Sequence, residues 1–464
     1  MTISRLLAGL LALAFALSAN GTTLPDVRRV ELDNGVVLLL NVKDDVPLIG
    51  VSAMLDGGAA RDPAERHGLA SLYADMLSKG AGGRDTAAFA EAIESVGGRL
   101  TAYADLESIT VAGNFLARDT ELMIELIADM LVRPTLDVDE FDKLKARAVN
   151  LATAAKDADP GQLMPSYANA WLFGDHPYGN PVSGSEASLA AITHADILEY
   201  HAAATGGDRL VISVSGDIDA DQVEAGLREA FGDWRAAGSE LAAISAPEVI
   251  AGRGVLLIDK PGATQTYFWV GNRGVAIDFA ERADLDIANT LFGGRFTSML
   301  NKALRVESGL TYGARSVLER PSQPGTVSIR SYTATPTTTE AIDLALSLLD
   351  RLHAERFDDD SITSARNYVQ GLYPMLLETA PQLAAEFARL EHYGLSADYV
   401  NGYSAALDAV TIESAAAVVA DVYPTTDELV FVILGDAEQI REAAAAYGDV
   451  TEMSVAEPTF HVPD

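Results

Sequence analysis

The chain has 464 residues, 48% hydrophobic and 22% charged, with 67 acidic against 33 basic residues and a formal charge of −34. Those values exclude wholesale disorder and leave room for two or more domains with sizeable cores. The negative excess argues against nucleic acid and anionic membrane as partners, and the absence of cysteine excludes disulfides, thiolate metal sites and a cysteine nucleophile. A self-repelling soluble surface accounts for the charge most simply, with a preference for basic peptides as the sharper alternative.

Met1 to Arg5 carries one positive charge, Leu6 to Leu17 is apolar, and Ala16-Leu17-Ser18 or Ala19-Asn20-Gly21 offers a small-x-small cleavage site. This is the layout of a secretory signal over residues 1–20, too short to span a bilayer, and it predicts an exported, periplasmic protein without a membrane anchor. Arg28 to Leu40 alternates and is broken by Asp33-Asn34-Gly35, a hairpin signal; Leu48 to Leu55 reads as another strand. Helical patterns follow at Gly68 to Leu77 and Asp85 to Val96, and Arg99 to Leu116 reads as two strands turning near Asp105. Longer helices are expected at Asp119 to Leu131 and Val138 to Ala158.

Leu210 to Asp217 reads as a buried strand ending in Gly216-Asp217, and Leu429 to Asp436 repeats it with Gly435-Asp436. The spacing, 435 − 216 = 219, is close to half the chain. Both copies follow an acidic residue at the same offset (Asp208, Asp427) and precede an Ala/Glu-rich helical pattern, which points to an internal duplication. The second half shows strands at Val255 to Ile258, Thr264 to Val270, Gly313 to Leu318 and Gly325 to Thr333. Its helices are expected at Ala280 to Phe292, Arg295 to Arg305, Thr338 to His353 and Asp360 to Leu376. Hairpins and runs of like elements, rather than regular βαβ alternation, predict an α+β fold of two homologous domains, each a mostly antiparallel sheet flanked by helices. The halves are placed at 21–235 and 254–464, with the Ala-, Gly-, Ser- and Pro-rich stretch 236–253 as the linker.

None of the seven histidines pairs with another at i and i+4, so neither H-E-x-x-H nor H-x-x-E-H is present. His194 and His201 fit a surface or capping role better than a metal site. There is no G-x-S-x-G elbow. The clusters Gly80, Gly82, Gly83 and Gly293-Gly294-Arg295 lack phosphate-loop spacing and read as turns.

Gly68-Leu69-Ala70-Ser71-Leu72-Tyr73-Ala74-Asp75-Met76-Leu77-Ser78-Lys79-Gly80 resembles the helix G-L-A-H-F-L-E-H-M-L-F-K-G of the pitrilysin/insulinase/processing-peptidase family. In that frame Ser71 and Asp75 stand at the two histidine positions and Ala74 at the glutamate base. The third ligand position falls at about Thr153, in a stretch Leu151 to Ala154 without a carboxylate. A catalytic zinc needs three protein ligands and a water, so the resemblance implies no metal in this chain. His176-Pro177-Tyr178-Gly179 and a following Gly184 match a further family segment. Gly97-Gly98-Arg99-Leu100-Thr101-Ala102 matches the family's edge strand, with Thr101 where an asparagine is usual.

Leu304-Arg305-Val306-Glu307-Ser308-Gly309-Leu310-Thr311-Tyr312-Gly313 resembles the family's L-R-E-x-x-G-L-x-Y segment, whose arginine and tyrosine contact substrate beside the zinc of the other half or subunit. The resemblance therefore implies the non-catalytic subunit of a heterodimeric zinc peptidase, inactive alone. Arg305 and Tyr312 would be its substrate contacts. A catalytic partner carrying H-x-x-E-H would hold the zinc, and the two subunits would enclose a chamber for peptides. The alternative is a metal-free structural or peptide-binding homodimer of the same fold.

Overall fold

A computed structural model describes residues 23–239, 241–248 and 254–462, so the expected signal segment lies outside the described residues and the expected linker lies partly inside them. The first half builds β1 (Arg28–Glu31), β2 (Val37–Val42), β3 (Leu48–Asp56), β4 (Arg99–Ala104), β5 (Ser108–Leu116) and β6 (Leu210–Gly216). These form a six-stranded sheet in the order β1-β2-β6-β3-β5-β4. The second half builds β7 (Gly254–Asp259), β8 (Gln265–Arg273), β9 (Ala314–Glu319), β10 (Thr326–Ala334), β11 (Val430–Gly435) and β12 (Asp449–Ser454), in the order β12-β7-β11-β8-β10-β9. Pairing is mostly antiparallel, and helices flank both sheets, as an α+β fold requires.

The duplication holds for five strands in each sheet. β2 runs parallel to β6 with Val42 opposite Gly216, and β7 runs parallel to β11 with Asp259 opposite Gly435. The paired glycines are the two ends of the repeated sequence run. The sixth strands differ. β1 joins β2 antiparallel through the Asn34-Gly35 hairpin, whereas β12 joins β7 parallel from the far end of the chain.

One face of each sheet packs on helices of its own half. Ile212 and Val214 face a core with Leu72, Tyr73 and Met76, and Phe431 and Ile433 face one with Leu346 and Leu349. The opposite faces are covered by exchange. Helix Met164–Phe173, from the first half, packs on β8 and β11, burying Tyr167 and Leu172 with Trp269, Val430, Val432 and Leu434. Helix Ala380–His392, from the second half, packs on β3 and β6, with Leu383 and Phe387 against Val37 and Leu39. The residues beneath the second helix are small, Gly50, Ser52 and Ser213, and a Cβ on Gly50 would collide with the Pro381 backbone.

Candidate functional site

Helix Leu69–Leu77 starts without a local side-chain cap. Asp62, six residues before Gly68, takes over that work, accepting the backbone N–H groups of Gly68 at 2.7 Å and Ala70 at 2.9 Å. Burial raises its carboxyl to about 7, against the lowering effect of those N–H donors. Nearby His201, whose Nδ1 lies 2.9 Å from the Tyr73 hydroxyl, is lowered to about 4, chiefly by burial and secondarily by Arg235. The two groups act on stability with opposite signs. A raised acid stabilises most below its unfolded value and loses that contribution as pH rises through about 7. A depressed histidine contributes above its unfolded value and loses it as pH falls through about 4. Asp62→Asn removes only the first effect. The melting temperature of the variant minus that of the parent is therefore expected to rise between about pH 4 and pH 7, and thermal scans showing a constant difference would count against this assignment.

The face of this helix that would carry the zinc ligands opens on a pocket of about 460 Å³, lined by Ser71 and Asp75. Ala74 is fully buried in the core instead. The Ser71 hydroxyl donates to the Val182 carbonyl at 2.7 Å. Burial raises the Asp75 carboxyl, against the attraction of Lys79 and Arg147. From helix Val138–Ala158 the pocket receives Ala148, Leu151, Ala152 and Ala155, while Thr153 is exposed and donates to the Val149 carbonyl at 3.1 Å. At the three family ligand positions this chain offers one carboxylate, Asp75, with the committed Ser71 hydroxyl and the exposed Thr153, and those groups do not make a zinc ligand set. Among the described residues no group of three His, Asp or Glu side chains could hold a metal ion.

The C-terminal segment closes this pocket, with Glu457, Pro458, Thr459 and Phe460 in its wall. Lys156 Nζ donates to the Glu457 carbonyl at 2.7 Å, Ala187 N to the Pro458 carbonyl at 2.9 Å, and Phe460 meets the Tyr167 ring edge-on at 4.9 Å. Sequence reasoning passed over this tail, which carries no motif. The edge-strand segment is β4, where Thr101 is exposed and its hydroxyl donates to the Ala112 carbonyl at 3.3 Å. His194 packs on Phe141, with Nε2 2.6 Å from the Leu136 carbonyl.

The His176-Pro177-Tyr178-Gly179 segment ties the halves together. The Tyr178 hydroxyl donates to buried Glu107 at 2.7 Å and accepts from Gln323 N at 2.9 Å, and Glu107 also accepts from Ser322 N at 2.9 Å. His176 Nε2 reaches the Ser245 carbonyl of the linker stretch at 2.9 Å.

Arg305 and Tyr312 come together on the second half. Arg305 lies in a π-helical turn, Lys302–Glu307, of the kind that re-aims side chains at functional sites. The chain then reverses at Gly309, whose φ of +69° an L side chain adopts only with strain. β10 pins the returning loop, as Thr333 Oγ1 donates to the Leu310 carbonyl at 2.8 Å and Ser331 Oγ to that of Gly313 at 3.0 Å. The result is an arginine stacked between two rings, its guanidinium carbon 4.2 Å from the centroid of Tyr312 and 4.9 Å from that of Phe296. Tyr312 is 73% and Phe296 60% exposed, so both rings face solvent. All three line a groove of about 780 Å³ with Arg295, Arg315, Arg330 and Tyr332. Phe296, Arg315 and Arg330 were not singled out from sequence. Alternation of Arg330 with buried Ile329 along β10 is the signal that could have found one of them.

The profile described as Insulinase (Peptidase family M16) matches residues 37–186, and that described as Peptidase M16 inactive domain matches residues 191–369. An uncharacterized zinc protease of Mycobacterium leprae is 30% identical over 308 residues, 65% of this chain and 68% of its own length. A peptidase M16 inactive domain from Pseudomonas fluorescens has the same fold, with a TM-score of 0.82 at 22% identity over 88% of this chain and 98% of that one. A protease from Helicobacter pylori superposes with a TM-score of 0.79 at 17% identity, over 89% of this chain and all (100%) of that one.

Proposed function

The chain belongs to the insulinase family of peptidases, family M16, and from that premise we propose that it is a zinc-less subunit that completes the active site of a catalytic relative. The observation that carries this reading is the contrast between its two sites. Where the active members place zinc and base, this chain has Ser71 and Asp75 in a pocket walled by the C-terminal segment, and Ala74 buried in the core. Where they place the substrate-contact arginine and tyrosine, Arg305 and Tyr312 are kept, stacked at 4.2 Å and open to solvent. A guanidinium and a phenol at the mouth of a groove can donate to a carbonyl oxygen as it gains negative charge during peptide hydrolysis. The zinc, the activated water and the base belong to the partner, which carries H-x-x-E-H. Arg305 and Tyr312 orient the peptide and stabilise that oxygen. Export through the segment at 1–20 places the pair in the periplasm.

The test is turnover of a quenched fluorescent peptide. This chain alone is expected to give none, and its addition to the separately purified partner is expected to raise the partner's rate, with a chelator abolishing the activity of the pair. A partner that works equally well without this chain would remove the proposal. A stable self-associated chain that binds peptide and stimulates no peptidase would favour the metal-free homodimer.

A further inference from the structure

The groove that holds Arg305 has a charge opposite to that of the molecule. Over the whole chain acidic residues outnumber basic ones, 67 to 33, yet this groove is lined by Arg295, Arg305, Arg315 and Arg330 against one carboxylate, Asp159. Of the four, only Arg330 has an acidic partner among the described residues, Glu319 at 2.7 Å. Arg295 donates to the Ser364 hydroxyl at 3.0 Å, and its buried Nε has no hydrogen-bond partner. Arg305 is held by rings alone.

Arg315 is the most telling. It is exposed on β9, the outermost strand of the second sheet, and stands directly opposite Arg330 in the β9–β10 register. Like charges directly opposite across an antiparallel pair are destabilising. Glu319 pairs with Arg330 alone, and no carboxylate among the described residues pairs with Arg315. The exposed Arg315 guanidinium in the wall of the groove is therefore the charge that an entering anion relieves.

We infer that this groove selects peptides bearing acidic side chains, which Arg315 and Arg295 receive beside the scissile position. The inference rests on the peptidase-subunit reading above and names its substrate class. It reverses the preference for basic peptides that net charge alone suggests. At physiological salt fields decay over about 8 Å, so a peptide inside the groove interacts with the arginines around it and only weakly with the acidic surface beyond. The planar guanidinium fork suits a carboxylate, and the rings of Tyr312 and Phe296 give the peptide an apolar wall.

The experiment uses the full chain and three fluorescein-labelled decapeptides of one framework, carrying Glu, Gln or Lys at alternate positions, titrated by fluorescence anisotropy at physiological salt. The Glu peptide is expected to bind about tenfold or more tightly than the Gln peptide. Arg315→Gln is expected to remove most of that difference, weakening the Glu peptide far more than the Gln peptide. Equal binding of the Glu and Gln peptides, or tightest binding of the Lys peptide, overturns the acidic preference and leaves the peptidase-subunit reading standing. Failure of all three peptides to bind overturns the inference, while the peptidase-subunit reading stands or falls on the turnover of the pair. A labelled oligothymidylate binding as tightly as the Glu peptide would make the groove a general polyanion site and overturn the inference.

Discussion

Trp269→Ala is expected to lower the unfolding free energy by about 3–5 kcal/mol, a large part of the margin of a typical folded domain. Trp269 is fully buried on β8, within the cluster formed by helix Met164–Phe173 and the outer face of the second sheet. Its indole N–H has no hydrogen-bond partner among the described residues, so the loss is one of packing and cavity formation rather than of a polar contact. The neighbours cannot collapse easily, because Val430, Val432 and Leu434 belong to a strand bonded on both sides. The helix above them comes from the other half of the chain, so the damage is expected to reach beyond one sheet. A single denaturation transition that shifts as a whole, followed by both tryptophan fluorescence and circular dichroism, is the expected result. Loss of the second sheet alone, with the first intact, would show that the exchanged helices do not couple the halves.

Arg305→Ala, assayed in the proposed complex with a catalytic relative, is expected to slow peptide turnover by about ten- to a hundredfold. Removing one charged hydrogen bond of roughly 1.5–3 kcal/mol has that effect on rate when the bond is made in the transition state. Folding should be intact, since the side chain rests on two exposed rings and makes no hydrogen bond or ion pair among the described residues. The distribution between kinetic constants separates roles. A fall in kcat and kcat/KM together marks stabilisation of the developing oxyanion, and a rise in KM alone marks ground-state peptide binding. Arg305→Lys should recover part of the loss, because the charge remains while the planar fork does not. Unchanged turnover in Arg305→Ala would remove Arg305 from the mechanism.

Most of the architecture was legible because local patterns wrote it. Strands such as Leu210–Gly216 and Val430–Gly435 are continuous apolar runs ended by glycine, and Asn34-Gly35 marked its hairpin before any partner was known. What escaped depends on contacts distant in sequence. Helices Met164–Phe173 and Ala380–His392 were not predicted as elements, and their exchange cannot be read from periodicity, because each finds its apolar surface on the other half. Strand β12, DVTEMS, lies on a sheet edge and lacks an apolar run. The expected helix from Arg295 to Arg305 begins only after Ser298, which caps it, and widens into the π-helical turn that carries Arg305.

The candidate site shows the same division. Family resemblance located Ser71, Asp75, Arg305 and Tyr312 because they lie within long matching segments. The docked tail at Glu457 to Phe460 and the cross-strand Arg315–Arg330 pair became visible only when the chain was folded. Thr153 itself lies outside the pocket, whose face on this helix is Ala148, Leu151, Ala152, Ala155 and Lys156.

The central claim is that this chain lends Arg305 and Tyr312 to an active site whose zinc lies in another subunit. The most direct measurement is gentle purification of the protein from the cells that make it, followed by mass spectrometry of the intact complex and of its components. The account predicts a near-equimolar companion of the same family bearing H-x-x-E-H, with one zinc per pair. Recovery of the chain only with copies of itself would contradict the account.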